Sequence, residues 1–149
     1  MASFQHSKTT GFTILELLVT IGIGTILIAL LPISFSGAYQ DYLLTSERNM
    51  IVFTLQKARN EAMSNFDQSD HGVYIQQNAY TVFQGTSYAS RNPAYDEIFP
   101  ASGGVAKTGL SEIDFDQLTG GTAASGTITL TTAQKSLLIS INPAGQITW

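Results

Sequence analysis

From Phe12 to Leu31 the chain reads FTILELLVTIGIGTILIALL, an apolar run of 20 residues with one charge, Glu16. At the helical rise such a run covers about 30 Å, the thickness of a bilayer's hydrocarbon core. The run therefore reads as a membrane span. Glu16 is the anomaly. A carboxylate at the centre of a span costs roughly 2.5–3.5 kcal/mol on insertion scales, so such residues are as a rule functional and partnered.

The remainder is enough for one small domain. The chain has 149 residues, of which 44% are hydrophobic and only 12% charged, a balance that fits one membrane segment plus a head. The net charge of −4 gives no overall attraction for nucleic acid or anionic lipid. Cysteine is absent, which excludes disulfides, thiolate catalysis and cysteine metal sites.

The segment before the run is short and polar, with Lys8 its one full positive charge. A secretory signal peptide would place a cut after the run, where Ser34 and Ser36 precede Gly37. Its apolar region, however, is normally about 7–15 residues. A plain signal anchor accommodates the length but gives no account of Glu16. The residues TGFTILELL, Thr10 to Leu18, closely resemble the type IV prepilin cleavage and methylation motif. That resemblance implies a leader at residues 1–11, cleavage by a prepilin peptidase between Gly11 and Phe12, and methylation of the new amine on Phe12. Glycine leaves the scissile backbone uncovered. Residues 12–34 would form a transmembrane helix that becomes the core of a filament. There Glu16 pairs with the Phe12 amine of its own or a neighbouring subunit, and a buried pair of this kind fixes register more than it adds stability. The partners implied are prepilin peptidase, other pilin or pseudopilin subunits, an inner-membrane assembly platform, and membrane lipid before assembly. The location implied is the cytoplasmic membrane, single-pass, with the head outside the cytoplasm, and then a pilus or pseudopilus. Gly22, Gly24 and Pro32 interrupt the run and resemble the helix-kink positions of pilin helices.

Residues 35–65 read as a continuing amphipathic helix. Leu44, Ile51, Leu55, Ala58 and Ala62 form one stripe, with Arg48 on it and Gln40, Glu47, Gln56, Arg59 and Asn60 mostly off it. NFDQSDHG, Asn65 to Gly72, breaks the helical period, and residues 66–149 switch to period two as a globular β domain. Strands are predicted at Val73–Ile75, Tyr80–Phe83, Glu112–Phe115, Thr127–Thr131, Ser136–Ile141 and Gln146–Trp149. Gly85–Leu110 reads as loop with one strand near Ile98, and Thr119–Gly126 as a flexible connection. The fold class is α+β: a long N-terminal helix packed on an antiparallel β-sheet or β-sandwich-like head. LQKARNEAMS, HGVYI, YTVFQG and SLLISINPAGQITW are similar to the GspH/FimT type of minor pseudopilin. In that type an Ala-Arg pair, here Ala58-Arg59, precedes a head that ends in a glycine-containing turn.

Little in the head suggests catalysis, and no enzyme activity or cofactor is expected. Asp70 and His71 are adjacent in a predicted loop, where His71 should be solvated, and no serine lies in a G-x-S-x-G context. With His6 in the leader, a histidine metal site is not expected. Glu112, Asp114 and Asp116 share one strand face and could ligate Ca²⁺, but a solvated face is the simpler reading. Removing residues 1–11 takes Lys8 and leaves 6 basic against 11 acidic side chains, a charge of −5 that argues against tight DNA binding. Tyr74, Tyr80, Phe83 and Tyr88 could stack on bases, although aromatics near strands more often belong to a core. The alternative to a filament subunit is a signal-anchored surface binding module, adhesin-like or DNA-uptake related, that does not polymerise.

Overall fold

The computed structural model describes residues 11–149, and for residues 30–36 the helical backbone only. The leader, residues 1–10, lies outside the described residues. Helix α1 spans Ile14–Met63 and is followed by eight strands: β1 His71–Ile75, β2 Ala79–Gln84, β3 Glu97–Pro100, β4 Ala106–Gly109, β5 Glu112–Phe115, β6 Gly126–Thr131, β7 Ser136–Ile141 and β8 Ile147–Thr148. The chain divides into two compact units, one ending at Ser36 and the other running from Gly37 to Trp149.

In the first unit the helix starts two residues later than the apolar run. Thr13 is the reason: its Oγ1 accepts the Glu16 backbone N–H at 3.2 Å, and its carbonyl accepts the Leu17 N–H at 3.1 Å. That is an N-cap, and it leaves Gly11, Phe12 and Thr13 outside the helix. Phe12, Ile14, Leu15, Leu17, Leu18, Val19, Ile21, Ile23, Ile26, Leu27 and Ile28 are all more than half exposed within the chain. Among the described residues no helix is long and apolar enough to cross a membrane. The stretch from Ile14 to Ala29 covers about 24 Å. The expected span at 12–34 runs on into residues whose side chains lie outside the described ones. Helical backbone passes through Gly22, Gly24 and Pro32, and among the described residues a Cβ added at either glycine would meet nothing within 4 Å.

The second unit is built around the other end of α1. Its strands form two antiparallel sheets, ordered β3-β2-β1-β5 and β4-β6-β7-β8. The expected stripe is buried: Leu44, Ile51, Leu55, Ala58 and Ala62 join Val73, Ile113 and Phe115 of one sheet and Ile128, Leu130, Ile139 and Ile141 of the other in one apolar cluster. Strands β5, β6 and β7 alternate buried and more exposed residues, as strands with one face on a core must.

Several expectations need correction. Glu47 is not off the stripe. It lies three residues after Leu44 and four before Ile51, faces the core, and is 1% exposed. The Gly85–Leu110 stretch holds a second strand, β4, whose pairing with β6 spans Ala106↔Thr131 to Gly109↔Ile128. Its short Ala-Lys-Thr-Gly sequence has no apolar alternation, so only the partner strand reveals it. His71 is buried, not solvated, because it opens β1 between Gln84 of β2 and Phe115 of β5.

The loop after β2 covers the outer face of the first sheet. Gly72 leaves room for the Phe83 ring, which a Cβ there would meet at 2.4 Å. Tyr88 stacks on Tyr74 at 3.9 Å between centroids and meets Phe83 edge-on at 5.8 Å. Arg91 lies 3.5 Å over the Tyr88 ring and is held by Asp96 at 2.9 Å.

Candidate functional site

Two places concentrate polar chemistry: the start of α1, and the layer between the far end of α1 and the head. At the start, Thr13-Ile14-Leu15-Glu16 has the spacing of a capping box. The structure contains its first half, the Glu16 N–H donated to Thr13. Glu16 also lies in the first helical turn, where its negative charge faces the positive end of the helix dipole. Reading Glu16 only as an interruption of an apolar run misses this local role, although T-x-x-E is legible. Phe12 is 83% exposed, and among the described residues a Cβ placed on Gly11 would meet nothing within 4 Å.

At the other end, Arg59 bridges two turns. Its Nε donates to the Gly120 carbonyl at 3.2 Å and its Nη2 to the Ala144 carbonyl at 3.3 Å. The turns also hold each other: the Thr122 N–H donates to the Pro143 carbonyl at 3.1 Å. Gly145 has φ +68°, and a Cβ there would stand 1.9 Å from the Gly120 oxygen. The Ala58-Arg59 pair and the final glycine turn, separate fragments in the sequence, thus meet at one junction. The helix C-terminus is closed by the same region, since the Leu118 N–H donates to the Ala62 carbonyl at 2.9 Å.

The most buried carboxylate among the described residues is Glu47. Lys107 approaches it at 2.8 Å, Tyr80 donates its hydroxyl, and the Ser102 N–H donates at 2.9 Å. Lys107 also donates to the Gln77 carbonyl at 2.8 Å. Burial pushes the Glu47 carboxyl up, but the hydrogen bonds from Lys107, Tyr80 and Ser102 and the Lys107 charge outweigh it, and the group titrates below its ordinary value. The same burial and the neighbouring carboxylate drive the Tyr80 hydroxyl far above its ordinary value. Among the described residues no buried side-chain nitrogen or oxygen lacks a partner. A carboxylate this fully engaged is a clamp between α1, β2 and β4.

The remaining titratable candidates are likewise engaged in the fold. His71 Nε2 is 3.0 Å from the Phe66 carbonyl oxygen and Nδ1 is 3.6 Å from a Glu61 carboxylate oxygen. Asp70 accepts the Gln117 N–H at 2.7 Å. Glu112 accepts the Tyr88 N–H at 2.7 Å, which holds the loop over the first sheet. Among the described residues no group of three or more histidines and carboxylates is arranged to hold a metal ion, and Glu112, Asp114 and Asp116 are not drawn together.

The exposed Gly11 and Phe12 and the capped helix behind them fall within a known family pattern. Residues 6–32 match the family model described as the prokaryotic N-terminal methylation motif. The chain carries the signature of a prepilin-peptidase-processed, pilin-like protein. The pilin-like match ends before the head, which begins at Gly37. No curated protein and no solved structure matches the chain.

Proposed function

We propose that this pilin-like chain is a non-enzymatic structural subunit, a minor pilin or pseudopilin of the GspH/FimT type, serving a type IV pilus or a type II secretion pseudopilus. The observation that carries the reading is the joint occurrence, under one methylation motif, of an exposed Gly11–Phe12 peptide and a helix whose apolar side chains stay exposed within the chain. Hydrolysis adds water across that peptide, leaving the carboxylate on Gly11 and a free ammonium on Phe12. The ammonium then stands at the positive end of the helix dipole, an unfavourable place that Glu16 offsets from one turn away. In a filament the same carboxylate serves as partner for the amine of its own or a neighbouring subunit.

Before assembly the apolar helix is held in the inner membrane, with the head outside the cytoplasm. An assembly platform then passes it into the filament. Gly22 and Gly24 cost about 1 kcal/mol each in a helix interior, and a Cβ at either would meet nothing within 4 Å. They serve as bend points of the helix or as close-approach positions for neighbouring helices, with Pro32 as the third kink position. The Arg59 junction supports the GspH/FimT reading of the head, because it joins the Ala-Arg pair to the glycine turn.

Mass spectrometry of the chain from its native membrane tests the proposal. The expected terminus is N-methylated Phe12. A terminus at Gly37 would establish secretory processing, and an intact leader would favour the signal-anchored binding module.

A further inference from the structure

The cleavage junction and the helix start lie within three residues of each other, and one side chain separates them. Thr13 Oγ1 accepts the Glu16 N–H, so helix α1 begins at Ile14 and the Gly11–Phe12 peptide stays outside it. A peptide bond inside a helix has its backbone packed and its groups aimed along the axis, whereas proteolysis selects exposed backbone that can open into an active site. Without the Thr13 cap, the next capping residue type upstream is Thr10. A helix begun there would take Gly11–Phe12 into its first turn.

We infer that Thr13 is a positioning residue for prepilin processing: its N-cap sets the helix boundary that keeps the scissile Gly11–Phe12 bond outside the helix and accessible. This rests on the processing reading above. Thr13 does not touch the reacting atoms. It acts by raising the fraction of precursor in the cleavable conformation. A competent fraction below one raises the apparent KM and leaves turnover of the bound precursor unchanged.

The test uses the full-length precursor in membranes with a prepilin peptidase, comparing wild type with Thr13→Val, Thr13→Ser and Thr13→Asn. Valine keeps the β-branched shape and removes the cap, whereas serine and asparagine change the shape and keep it. Thr13→Val is expected to raise KM, by at most about fivefold, the shift in the helix-start equilibrium from losing a typical cap, with kcat unchanged. Thr13→Ser and Thr13→Asn should match wild type. A wild-type KM for Thr13→Val would overturn the inference, as would slow cleavage of Thr13→Asn with normal cleavage of Thr13→Val, because shape rather than capping would then govern. If the wild-type precursor is not cut between Gly11 and Phe12 at all, the processing reading fails first, and the inference with it.

Discussion

The two ends of α1 solve opposite problems. Between Phe12 and Ile28 the large apolar side chains stay exposed, and Glu16 sits at the helix end, facing its dipole. From Leu44 to Ala62 the same helix buries an apolar stripe in a core shared with two sheets, and its buried acid, Glu47, is bonded from Lys107, Tyr80 and Ser102. Among the described residues the first region leaves its apolar side chains exposed, and the second buries its own. A lone carboxylate is thus informative in the first and merely structural in the second. Perturbations that separate the regions sharpen this contrast, and perturbations that spread between them would break it.

The largest effect should come from Glu47→Ala. It leaves Lys107 buried and unpaired, and breaking a buried pair from one side costs about 3–5 kcal/mol. Chemical denaturation of the fragment from Gly37 onward measures it. The double variant Glu47→Met with Lys107→Met should recover part of the loss, because it leaves no buried charge but strands the Tyr80 hydroxyl and the Ser102 N–H. Failure of the double variant to recover would mean the network does more than satisfy itself.

Next is Gly145→Ala, which places a Cβ into a left-handed backbone position 1.9 Å from the Gly120 oxygen. Strain of that kind costs of order 1–3 kcal/mol and should open the Arg59 junction. The expected result is a lower melting temperature for the head with the helix signal from circular dichroism largely retained. An unchanged melting temperature would show that the two turns need not meet.

A smaller effect is set by pH. The Glu47 carboxyl titrates below its ordinary value in the folded head, so the unfolded chain binds the proton more readily. Its contribution to stability is present above the ordinary carboxylate range and is lost as pH falls through the lower folded value. The acid limb of the wild-type stability profile should therefore fall more steeply than that of the double variant. Parallel limbs would mean that other carboxylates dominate acid unfolding.

The smallest effect on the head, none, is expected from Glu16→Val. The change should shift only the partition between filament-associated and membrane-held subunit at matched expression, in favour of the membrane. Without Glu16 the Phe12 amine would sit unpaired in an apolar filament core. Equal partition in mutant and wild type would end the pairing role, and a destabilised head would end the separation of the two regions.

Local patterns carry much of this. The helix stripe, the hairpin of β1 and β2, strand β7 and the acid–apolar alternation of β5 are legible because each repeats with the period of its own backbone. The T-x-x-E cap at Thr13 is equally legible but hidden behind the apolar run that makes Glu16 conspicuous. Strand β4 is not legible, since Ala106–Gly109 has no alternation and is a strand only because β6 lies beside it. Glu47 escapes the sequence pattern for a related reason. Charge type argues for solvent, and only the arrival of Lys107 from another strand makes the buried face tolerable.

What the amino-acid sequence determined alone is therefore what depends on neighbours a few residues apart. That includes the apolar run, the Gly11–Phe12 junction, the cap, and the periodicity that separates helix from sheet. Tertiary structure decided what depends on residues far apart in the chain. It seated Arg59 on the Gly120 and Ala144 carbonyls, stacked Tyr74 on Tyr88, and made Glu47 a clamp instead of a surface charge. The physical reason is that a side chain's periodicity is set by its own backbone, whereas the cost of burying its polar atoms is set by whichever partners the folded chain brings within hydrogen-bonding reach.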